Sequence, residues 1–370
     1  MALYVGLISG TSMDGIDAAL LEIAPASMQL RAAVERPWPT ALQIRLRRAA
    51  EDYDHIGLNE FGQLDTAVAL EFARAAEQVL QAGAVPSSAV RAIGSHGQTV
   101  LHRPDGETPF TLQIGDPNVI AERLGIDVVA DFRRRDIAAG GEGAPLMPAF
   151  HAAAFGASGE TRAVVNIGGI ANVTLLSPDG SVIGFDTGPG NCLLDSWTRT
   201  HLGQPHDAAG AWAASGTVDT PLLERLLAEP YFARQPPKST GRETFSDAWL
   251  QLALAGRVLA PANVQATLAE LTAVTIANAL RTASGSALQG LYVCGGGAFN
   301  ADLLRRLVIA LPQTRIATTA ECGIAPEHVE AAGFAWLAHR YLTGEPGNLP
   351  SVTGARHPVP LGALYRGTAL

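Results

Sequence analysis

The chain has 370 residues, of which 47% are hydrophobic and 16% charged, a balance that can bury a large core and favours a globular protein of two domains. Its formal net charge of -9 argues against nucleic acid as a partner, since nucleic-acid-binding proteins normally present a basic surface. The three cysteines lack a Cys-x-x-Cys spacing, and the sequence has neither a signal-peptide pattern nor an apolar run of membrane-span length, so we expect a cytoplasmic protein with no membrane partner.

The opening stretch, residues 3–21, contains two apolar runs around the sequence Gly-Thr-Ser-Met-Asp-Gly at residues 10–15. Such a pattern predicts a strand–turn–strand hairpin. Small residues let backbone N–H groups approach a ligand, and clustered N–H groups form a concavity that binds phosphate oxygens. A plain hairpin turn is the alternative interpretation.

The next segments alternate between helix and strand patterns. Apolar residues recur at helical spacing over residues 57–82, which predicts an amphipathic helix that ends at Gly83. Strands are predicted at residues 89–94, 110–114 and 126–130, with a helix at 117–124. The polar cluster of residues 95–99 follows the first of these strands, and strand ends in α/β proteins tend to carry ligand contacts. Within it, His96 either binds a sugar hydroxyl or satisfies backbone groups.

A basic run and a loop without periodicity come next. Arg133, Arg134 and Arg135 either form a solvated face or capture a carboxylate or phosphate through bidentate hydrogen bonds. Residues 137–148 are rich in Gly and Pro, which predicts a linker or a loop that lines a cleft. We therefore predict a first lobe of residues 1–136, joined by the Pro- and Gly-rich tail of about 345–370, and a second lobe of residues 137–344.

The second lobe repeats the opening pattern. Apolar runs at 163–167 and 173–176 enclose a small-residue turn and predict another hairpin. A strand at 183–185 then ends in Asp186, which is either a turn-capping carboxylate or a general base. A helix is predicted at 192–202, with Asn191 as its N-cap.

The rest of the second lobe is read in the same way. Residues 203–247 are predicted to be loop-rich, and residues 238–242 either contact a ligand or pack as a loop. A helix is predicted at 266–282, a strand at 290–294 and a further helix at 301–311. Three glycines at 295–297 lie between the strand and the last of these helices. They either approach a nucleotide or serve only the geometry of the strand–helix turn. Their spacing matches neither a Rossmann fingerprint nor a Walker A loop. Glu330, early in a last helix predicted from Pro326 to Tyr341, is either a partner of the helix dipole or a functional acid.

This order of features resembles the actin-like ATPase and sugar-kinase superfamily. Within it, the sequence resembles the anhydro-N-acetylmuramic acid kinase family over essentially the whole length. The motifs that carry the resemblance are residues 6–17 (GLISGTSMDGID), 93–99 (IGSHGQT), 130–136 (ADFRRRD), 166–169 (NIGG), 184–191 (GFDTGPGN) and 294–297 (CGGG).

The resemblance implies an α/β fold of two RNase H-like lobes, with mixed sheets flanked by helices and ATP in an interlobe cleft. Asp186 matches the catalytic aspartate of the family. Glu330 matches a second acidic residue near the sugar. We predict further sugar contacts from His96 and Gln98, and from Arg134 or Arg135 as the partner of the substrate's lactyl carboxylate. The resemblance assigns ATP contacts to Gly10, Thr11, Ser12, Met13, Asp14, Gly15, Ile16, Asp17, Asn166, Gly168, Gly169, Gly295, Gly296 and Gly297.

The family's reaction is the ATP-dependent opening of the 1,6-anhydro bridge of anhydro-N-acetylmuramic acid, with phosphorylation of O6. Mg²⁺ is therefore expected with the ATP. The aspartate that usually precedes the Gly-Thr pair in the superfamily is replaced here by Ile8, which leaves the metal contact open between Asp14, Asp17 and Asp186 through water. The family also implies a homodimer. The alternatives are another sugar kinase or ring-opening enzyme of the superfamily, or an actin-like or chaperone ATPase module.

Overall fold

The computed structural model describes residues 1–25, 27–285 and 287–368. The chain divides into two compact units, Met1–Phe150 with His328–Leu370, and His151–Glu327. Each unit contains one mixed β-sheet with helices packed on it, which confirms the predicted α/β class. In the part of the chain that the structure describes, no helix is both long and apolar enough to cross a membrane.

The regular elements are numbered in chain order. The strands are β1 Ala2–Ser9, β2 Gly15–Ala24, β3 Ser27–Pro37, β4 Val90–Arg103, β5 Phe110–Ile114, β6 Val128–Ala130, β7 Arg162–Ile167, β8 Ile170–Leu176, β9 Val182–Pro189, β10 Gly290–Cys294, β11 Arg315–Thr318 and β12 Ala363–Tyr365. The helices are α1 Thr40–Glu51, α2 Leu58–Ala82, α3 Pro117–Leu124, α4 Phe132–Ala138, α5 Met147–Phe155, α6 Cys192–Leu202, α7 Ala211–Ser215, α8 Thr220–Leu227, α9 Asp247–Leu254, α10 Pro261–Ser284, α11 Ala301–Ala310, α12 Val329–Leu342 and α13 Pro350–Thr353.

The first unit is built on a seven-stranded sheet of order β12-β6-β4-β1-β2-β3, with β5 paired to β4. β1 and β2 pair antiparallel in the predicted hairpin, from Ala2 opposite Ile23 to Ile8 opposite Asp17. β1 and β4 pair parallel, which places Gly6 opposite Gly94. The opening hairpin is thus the centre of the first sheet.

These two glycines let helix α12 lie directly on the sheet. A Cβ atom at Gly6 would overlap the carbonyl oxygen of Ala331, and one at Gly94 would overlap that of Phe334. Both oxygens belong to the backbone of α12, so a larger residue at either position would displace the helix. The glycine pair therefore fixes where the first turns of α12, including Glu330, lie over β1 and β4.

The predicted amphipathic helix is α2, and it ends at Gly83 as expected. Its predicted apolar stripe is buried, with Leu64, Val68 and Phe72 each at most 1% exposed. The apolar positions recur every three or four residues, so they fall on one face of the helix and enter the core of the first unit.

The second unit is built on a five-stranded sheet of order β11-β10-β7-β8-β9. β7 and β8 form the second predicted hairpin, with Asn166 opposite Asn172. β10 lies parallel to both β7 and β11. The long helix α10 packs against β8 and β9 and extends beyond the predicted range of 266–282 at both ends.

Several predicted limits differ from the structure. β4 continues to Arg103 instead of ending at residue 94, because residues 98–103 pair with β5. β9 continues to Pro189 instead of ending at residue 185, because it pairs with β8 along that length. The predictions that the 95–99 cluster and Asp186 stand at strand ends are therefore wrong: both lie within strands. The loop-rich region 203–247 also contains α7 and α8, and the last helix begins at Val329 after a short 3₁₀ turn.

The division into units differs from the predicted lobe limits. Residues 328–344 group with the first unit because α12 packs on β1, β2 and β4, and residues 137–150 group with it as well. The tail returns to the same unit, where β12 pairs antiparallel with β6. The assignment of functional lobes to these ranges stays a prediction.

Candidate functional site

The first hairpin turn presents small polar side chains to solvent from a fixed backbone. Met13 has a left-handed φ of 55° and a buried side chain that anchors the turn in the core. Met13 N donates to Gly10 O at 3.1 Å, and Gln43 Nε2 donates to Met13 O at 2.8 Å. Thr11 and Ser12 remain exposed. The turn is thus fixed on its core side and exposed on its solvent side, which is the arrangement that a ligand-binding turn requires.

The two acidic residues near this turn differ in environment. Asp14 is exposed, and its Oδ1 lies 3.7 Å from Arg47 Nη2. Asp17 is half-buried in β2, opposite Ile8 of β1. Within residues 1–25, 27–285 and 287–368, no group of three or more His, Cys, Asp or Glu residues could hold a metal ion by itself. Mg²⁺ that arrives with a nucleotide needs only one or two protein carboxylates, so either aspartate fits it.

His96, in β4, is buried and has both ring nitrogens engaged by the protein. Nδ1 lies 2.8 Å from Gly97 O, and Arg133 Nε donates to Nε2 at 2.7 Å. This pattern requires the neutral tautomer with the proton on Nδ1. Burial and the charge of Arg133 hold the pKa of His96 well below its usual value, in agreement with that tautomer. His96 therefore uses both ring nitrogens in hydrogen bonds within the protein, and these bonds hold Arg133 and the backbone at Gly97 in place.

Arg133 joins three segments of the first unit. Besides the bond to His96, its Nη1 donates to Gly143 O at 2.8 Å. Burial lowers the pKa of Arg133, whereas Glu330 and Asp136 favour its charged form. Burial raises the pKa of Glu330, and the charge of Arg133 opposes that rise. The guanidinium thus supports the ionised form of Glu330.

The sequence interpretation considered all three arginines for anion capture and assigned sugar contacts to Arg134 and Arg135 alone. Both of the assigned side chains are exposed on α4, and Arg134 Nη1 lies 3.4 Å from Asp131 Oδ1. The missed signal was helical periodicity: Phe132, Asp136 and Ile137 form the buried face of α4, and Arg133 adjoins it.

The buried side chain of Gln98 connects β4 with the first turn. Its Nε2 donates to Gly10 O at 3.3 Å and to Thr99 O at 3.1 Å. In the described part of the chain, neither Gln98 Oε1 nor Ser95 Oγ has a hydrogen-bond partner. Buried polar atoms without a partner are rare, and they are suited to accept a group from a ligand.

Asp186 is held in the second unit by residues 231–240. Thr240 N donates to Asp186 Oδ2 at 3.0 Å, and Asp186 N donates to Lys238 O at 3.1 Å. Tyr231 Oη donates to Asp186 O at 2.7 Å. Burial raises the pKa of the Asp186 carboxyl, and the hydrogen bond from Thr240 N opposes this. Asp186 is thus a positioned carboxylate with increased basicity.

The second hairpin turn is tied to the start of α6. Asn191 N donates to Gly168 O at 2.8 Å, and Gly190 N donates to Gly169 O at 2.9 Å. The side chain of Asn191 donates to Ile167 O at 3.0 Å and makes no capping hydrogen bond to α6. Asn191 is the N-cap residue of α6, as predicted, but its side chain bonds Ile167 O instead of the helix.

The triple glycine lies against the end of β7. Gly295 has a φ of 75°, and a Cβ atom there would overlap Asn166 Oδ1. A Cβ atom at Gly297 would overlap the side chain of Ile167, whereas Gly296 has only Asn191 Nδ2, at 3.7 Å. Packing thus accounts for glycine at 295 and 297, and Gly296 is the position with room for a ligand.

Two α/β units, each with a small-residue hairpin, and a positioned carboxylate are the arrangement expected from the resemblance to enzymes of the sugar-kinase class. The family model described as "Anhydro-N-acetylmuramic acid kinase" matches residues 2–367. The chain belongs to the anhydro-N-acetylmuramic acid kinase family, and it is a kinase.

Curated relatives of the same description agree with this assignment. A protein of Xanthomonas campestris pv. campestris (strain 8004) is 53% identical over 366 residues, which cover 98% of this chain and 97% of that protein. A protein of Xylella fastidiosa (strain Temecula1) is 50% identical, with 98% and 96% covered. A protein of Coxiella burnetii (strain Dugway 5J108-111) is 50% identical, with 98% and 97% covered. Each is described as an anhydro-N-acetylmuramic acid kinase.

Proposed function

We propose that this kinase uses ATP to open the 1,6-anhydro ring of 1,6-anhydro-N-acetylmuramic acid by hydrolysis, and phosphorylates O6 to give N-acetylmuramic acid 6-phosphate for cell-wall recycling. The observation that carries the proposal is the carboxylate of Asp186, which Thr240 N holds while burial raises its pKa. Such a carboxylate is suited to take a proton from water near neutral pH.

The substrate determines what the base must do. An anhydro sugar has no O6 hydroxyl until its bridge breaks, so a base aimed at O6 would find no proton. Asp186 instead takes a proton from a water molecule, whose oxygen bonds to the anomeric carbon. The bond from that carbon to O6 breaks, and O6 forms its new bond to the γ-phosphorus of ATP as the bond from that phosphorus to the bridging oxygen breaks and ADP leaves. A positioned base supplies about 10²- to 10⁴-fold of the rate enhancement.

The nucleotide is assigned to three glycine-containing segments. We place the ATP phosphates at residues 10–17 and at Asn166, Gly168 and Gly169, and the adenosine at residues 295–297. The first turn supports this placement because Thr11 and Ser12 are exposed on a fixed backbone. Mg²⁺ would neutralise phosphate charge, held by Asp14 or Asp17, or by Asp186 through water.

The sugar is assigned to the polar residues of the first unit. Gln98 Oε1 is a buried acceptor that can receive a hydroxyl or amide proton of the sugar. His96 and Glu330 contribute through the cluster around Arg133, and the exposed Arg134 and Arg135 are suited to the lactyl carboxylate. We propose that the enzyme acts in the cytoplasm as a homodimer, as the family resemblance implies.

Isotope labelling tests the reaction directly. The enzyme is incubated with ATP, anhydro-N-acetylmuramic acid and ¹⁸O-water, and the product is analysed by mass spectrometry. The proposal requires ¹⁸O at the anomeric carbon and phosphate on O6. Asp186→Asn should lower kcat by about 100-fold or more, because the base is lost. Asp179→Asn, a change at an exposed turn aspartate of the same unit, should leave kcat unchanged.

Two results would contradict this mechanism. Label-free sugar phosphate would show that water does not attack the anomeric carbon. An Asp186→Asn variant that opened the bridge without consuming ATP would show that hydrolysis and phosphorylation are separate steps.

A further inference from the structure

A short segment of the second unit, residues 238–246, is anchored at both ends. At its start, Lys238 O and Thr240 N form hydrogen bonds with the backbone and carboxylate of Asp186. Near its end, Phe245 is buried, and its ring stacks on that of Phe232 with centroids 5.5 Å apart. The residues between these anchors therefore have a defined position relative to Asp186.

Arg242 lies in this segment, beside the second hairpin turn. A Cβ atom built on Gly169 would come within 2.7 Å of Arg242 Nη2 and 2.8 Å of Arg242 Nε. Because residue 169 has no side chain, the space next to the guanidinium remains open. Arg242 is exposed, so its charge remains available to a ligand on the turn.

The acidic neighbour of Arg242 does not remove this availability. Asp195, in the first turn of α6, is close enough for Arg242 to lower its pKa, together with Arg199 and His206. Burial outweighs these charges and raises the pKa of Asp195 to about 6. At neutral pH this carboxyl is mostly ionised, but it carries a single charge, whereas a terminal phosphate carries about two and offers more acceptor oxygens.

We propose that Arg242 binds the terminal phosphate of ATP at the Gly168–Gly169 turn and stabilises charge on it during phosphoryl transfer. This inference rests on the proposed function, in which the second turn holds ATP phosphates. The guanidinium has a planar fork of donors that matches two phosphate oxygens. As the bond from the γ-phosphorus to the bridging oxygen of ADP breaks and the bond to O6 forms, Arg242 keeps its proton and acts through charge alone.

The segment also connects the phosphate with the base. Arg242 and Thr240 are two residues apart, and Thr240 N is the donor that holds Asp186 Oδ2. A phosphate held by Arg242 is therefore separated by only two residues of backbone from the donor that positions Asp186.

Binding of ATP and ADP tests the inference without the sugar. Dissociation constants of both nucleotides with Mg²⁺ are measured by calorimetry for the wild type, Arg242→Gln and Arg242→Lys. Arg242→Gln should weaken ATP binding by about 10- to 100-fold, the effect of one or two lost charge-assisted hydrogen bonds, and change ADP binding by about twofold at most. Arg242→Lys should weaken ATP binding by less than Arg242→Gln does, because lysine keeps the positive charge but lacks the planar set of donors of a guanidinium.

Arg225→Gln is the matched control. Arg225 is an exposed arginine of the same unit whose Nη1 donates to Ala253 O at 2.8 Å, and its loss should leave both affinities unchanged. Melting temperatures show whether each variant folds. If Arg242→Gln does not fold, the affinities of Arg242→Lys test the inference instead.

The outcomes separate the two hypotheses. Equal loss of ATP and ADP affinity, or no loss of either, would overturn the role of Arg242 and leave the proposed function standing. A wild-type protein that binds neither nucleotide would contradict the proposed function itself.

Discussion

The cluster around Arg133 makes a quantitative prediction about Arg133→Met. The substitution removes a hydrogen bond of 2.7 Å to His96 Nε2 and one of 2.8 Å to Gly143 O. A buried acceptor left without a donor costs about 1–3 kcal/mol, so the two losses together lower the free energy of unfolding by about 2–6 kcal/mol. The substitution also removes the positive charge that favours ionised Glu330.

The loss of unfolding free energy in Arg133→Met should increase as the pH rises. Burial raises the pKa of Glu330 in the folded protein, so its contribution to stability is present at acid pH and is lost as pH rises through the folded-state pKa. Without Arg133 that pKa rises further, and ionised Glu330 costs more at neutral pH. The depressed pKa of His96 costs stability at acid pH, and Arg133→Met relieves part of that cost. Both effects make the variant's deficit larger at pH 8 than at pH 5.

Urea unfolding at pH 5 and pH 8 measures this difference for the wild type, Arg133→Met and Arg133→Lys. Arg133→Lys keeps the charge, so its deficit should vary less with pH than that of Arg133→Met. The acid limb of the kcat profile of Arg133→Met should also move to higher pH if ionised Glu330 takes part in the reaction. A deficit of Arg133→Met that is equal at both pH values would refute the electrostatic link between Arg133, His96 and Glu330.

Four further substitutions test other parts of the first unit. Gly94→Ala should destabilise the protein by about 1–3 kcal/mol in urea unfolding, because its Cβ would overlap the backbone of α12. Gly62→Ala in α2, where a Cβ would have nothing within 4 Å, should stabilise the protein by about 0.5–1 kcal/mol. Similar effects of the two substitutions would contradict the packing argument. Asp136→Ala should cost about 3 kcal/mol or more, since three donors lie 2.7–2.9 Å from its buried carboxylate, and a neutral result would show that those bonds contribute little. Arg135→Ala should raise the KM for the sugar far more than the KM for ATP in steady-state assays, and equal changes would remove Arg135 from the sugar site.

Local patterns in the sequence predicted the elements that depend on local physics. The opening hairpin, α2 with its stop at Gly83, and the exact range of α3 follow from apolar spacing, small-residue turns and a capping residue. Asp116 caps α3 by accepting from Asn118 N at 2.8 Å, directly before the proline that begins the helix. These signals lie within a few residues of the elements that they define.

The errors arose where distant segments decide the structure. β4 passes through the polar residues 95–99 because β1 pairs with it at Ser95 and Gln98, and β5, which is later in the chain, pairs with it from Gln98 to Arg103. β9 likewise runs past Asp186 because β8 pairs with it. Polar residues and glycines look like strand ends in a local window, and only the pairing shows that the strand continues.

The candidate site shows the same limit. The glycine turns and Asp186 were visible as motifs, whereas the choice among three consecutive arginines depended on which one α4 turns inward. The exposed Arg242 beside Gly169 belongs to a segment that was noted only as a loop, and nothing in the sequence places it near residues that lie more than 70 positions earlier. Roles of individual residues remain predictions that the experiments above can test.

The contact of α12 with Gly6 and Gly94 has a consequence for synthesis on the ribosome. The second unit is one continuous stretch, His151–Glu327, whereas the first unit needs residues from both sides of it. β1 and β4 emerge early, but the helix that covers their glycines is made only after the whole second unit. The unit whose synthesis begins first is therefore the last that can be completed, and its sheet has to wait with this surface uncovered while the second unit folds.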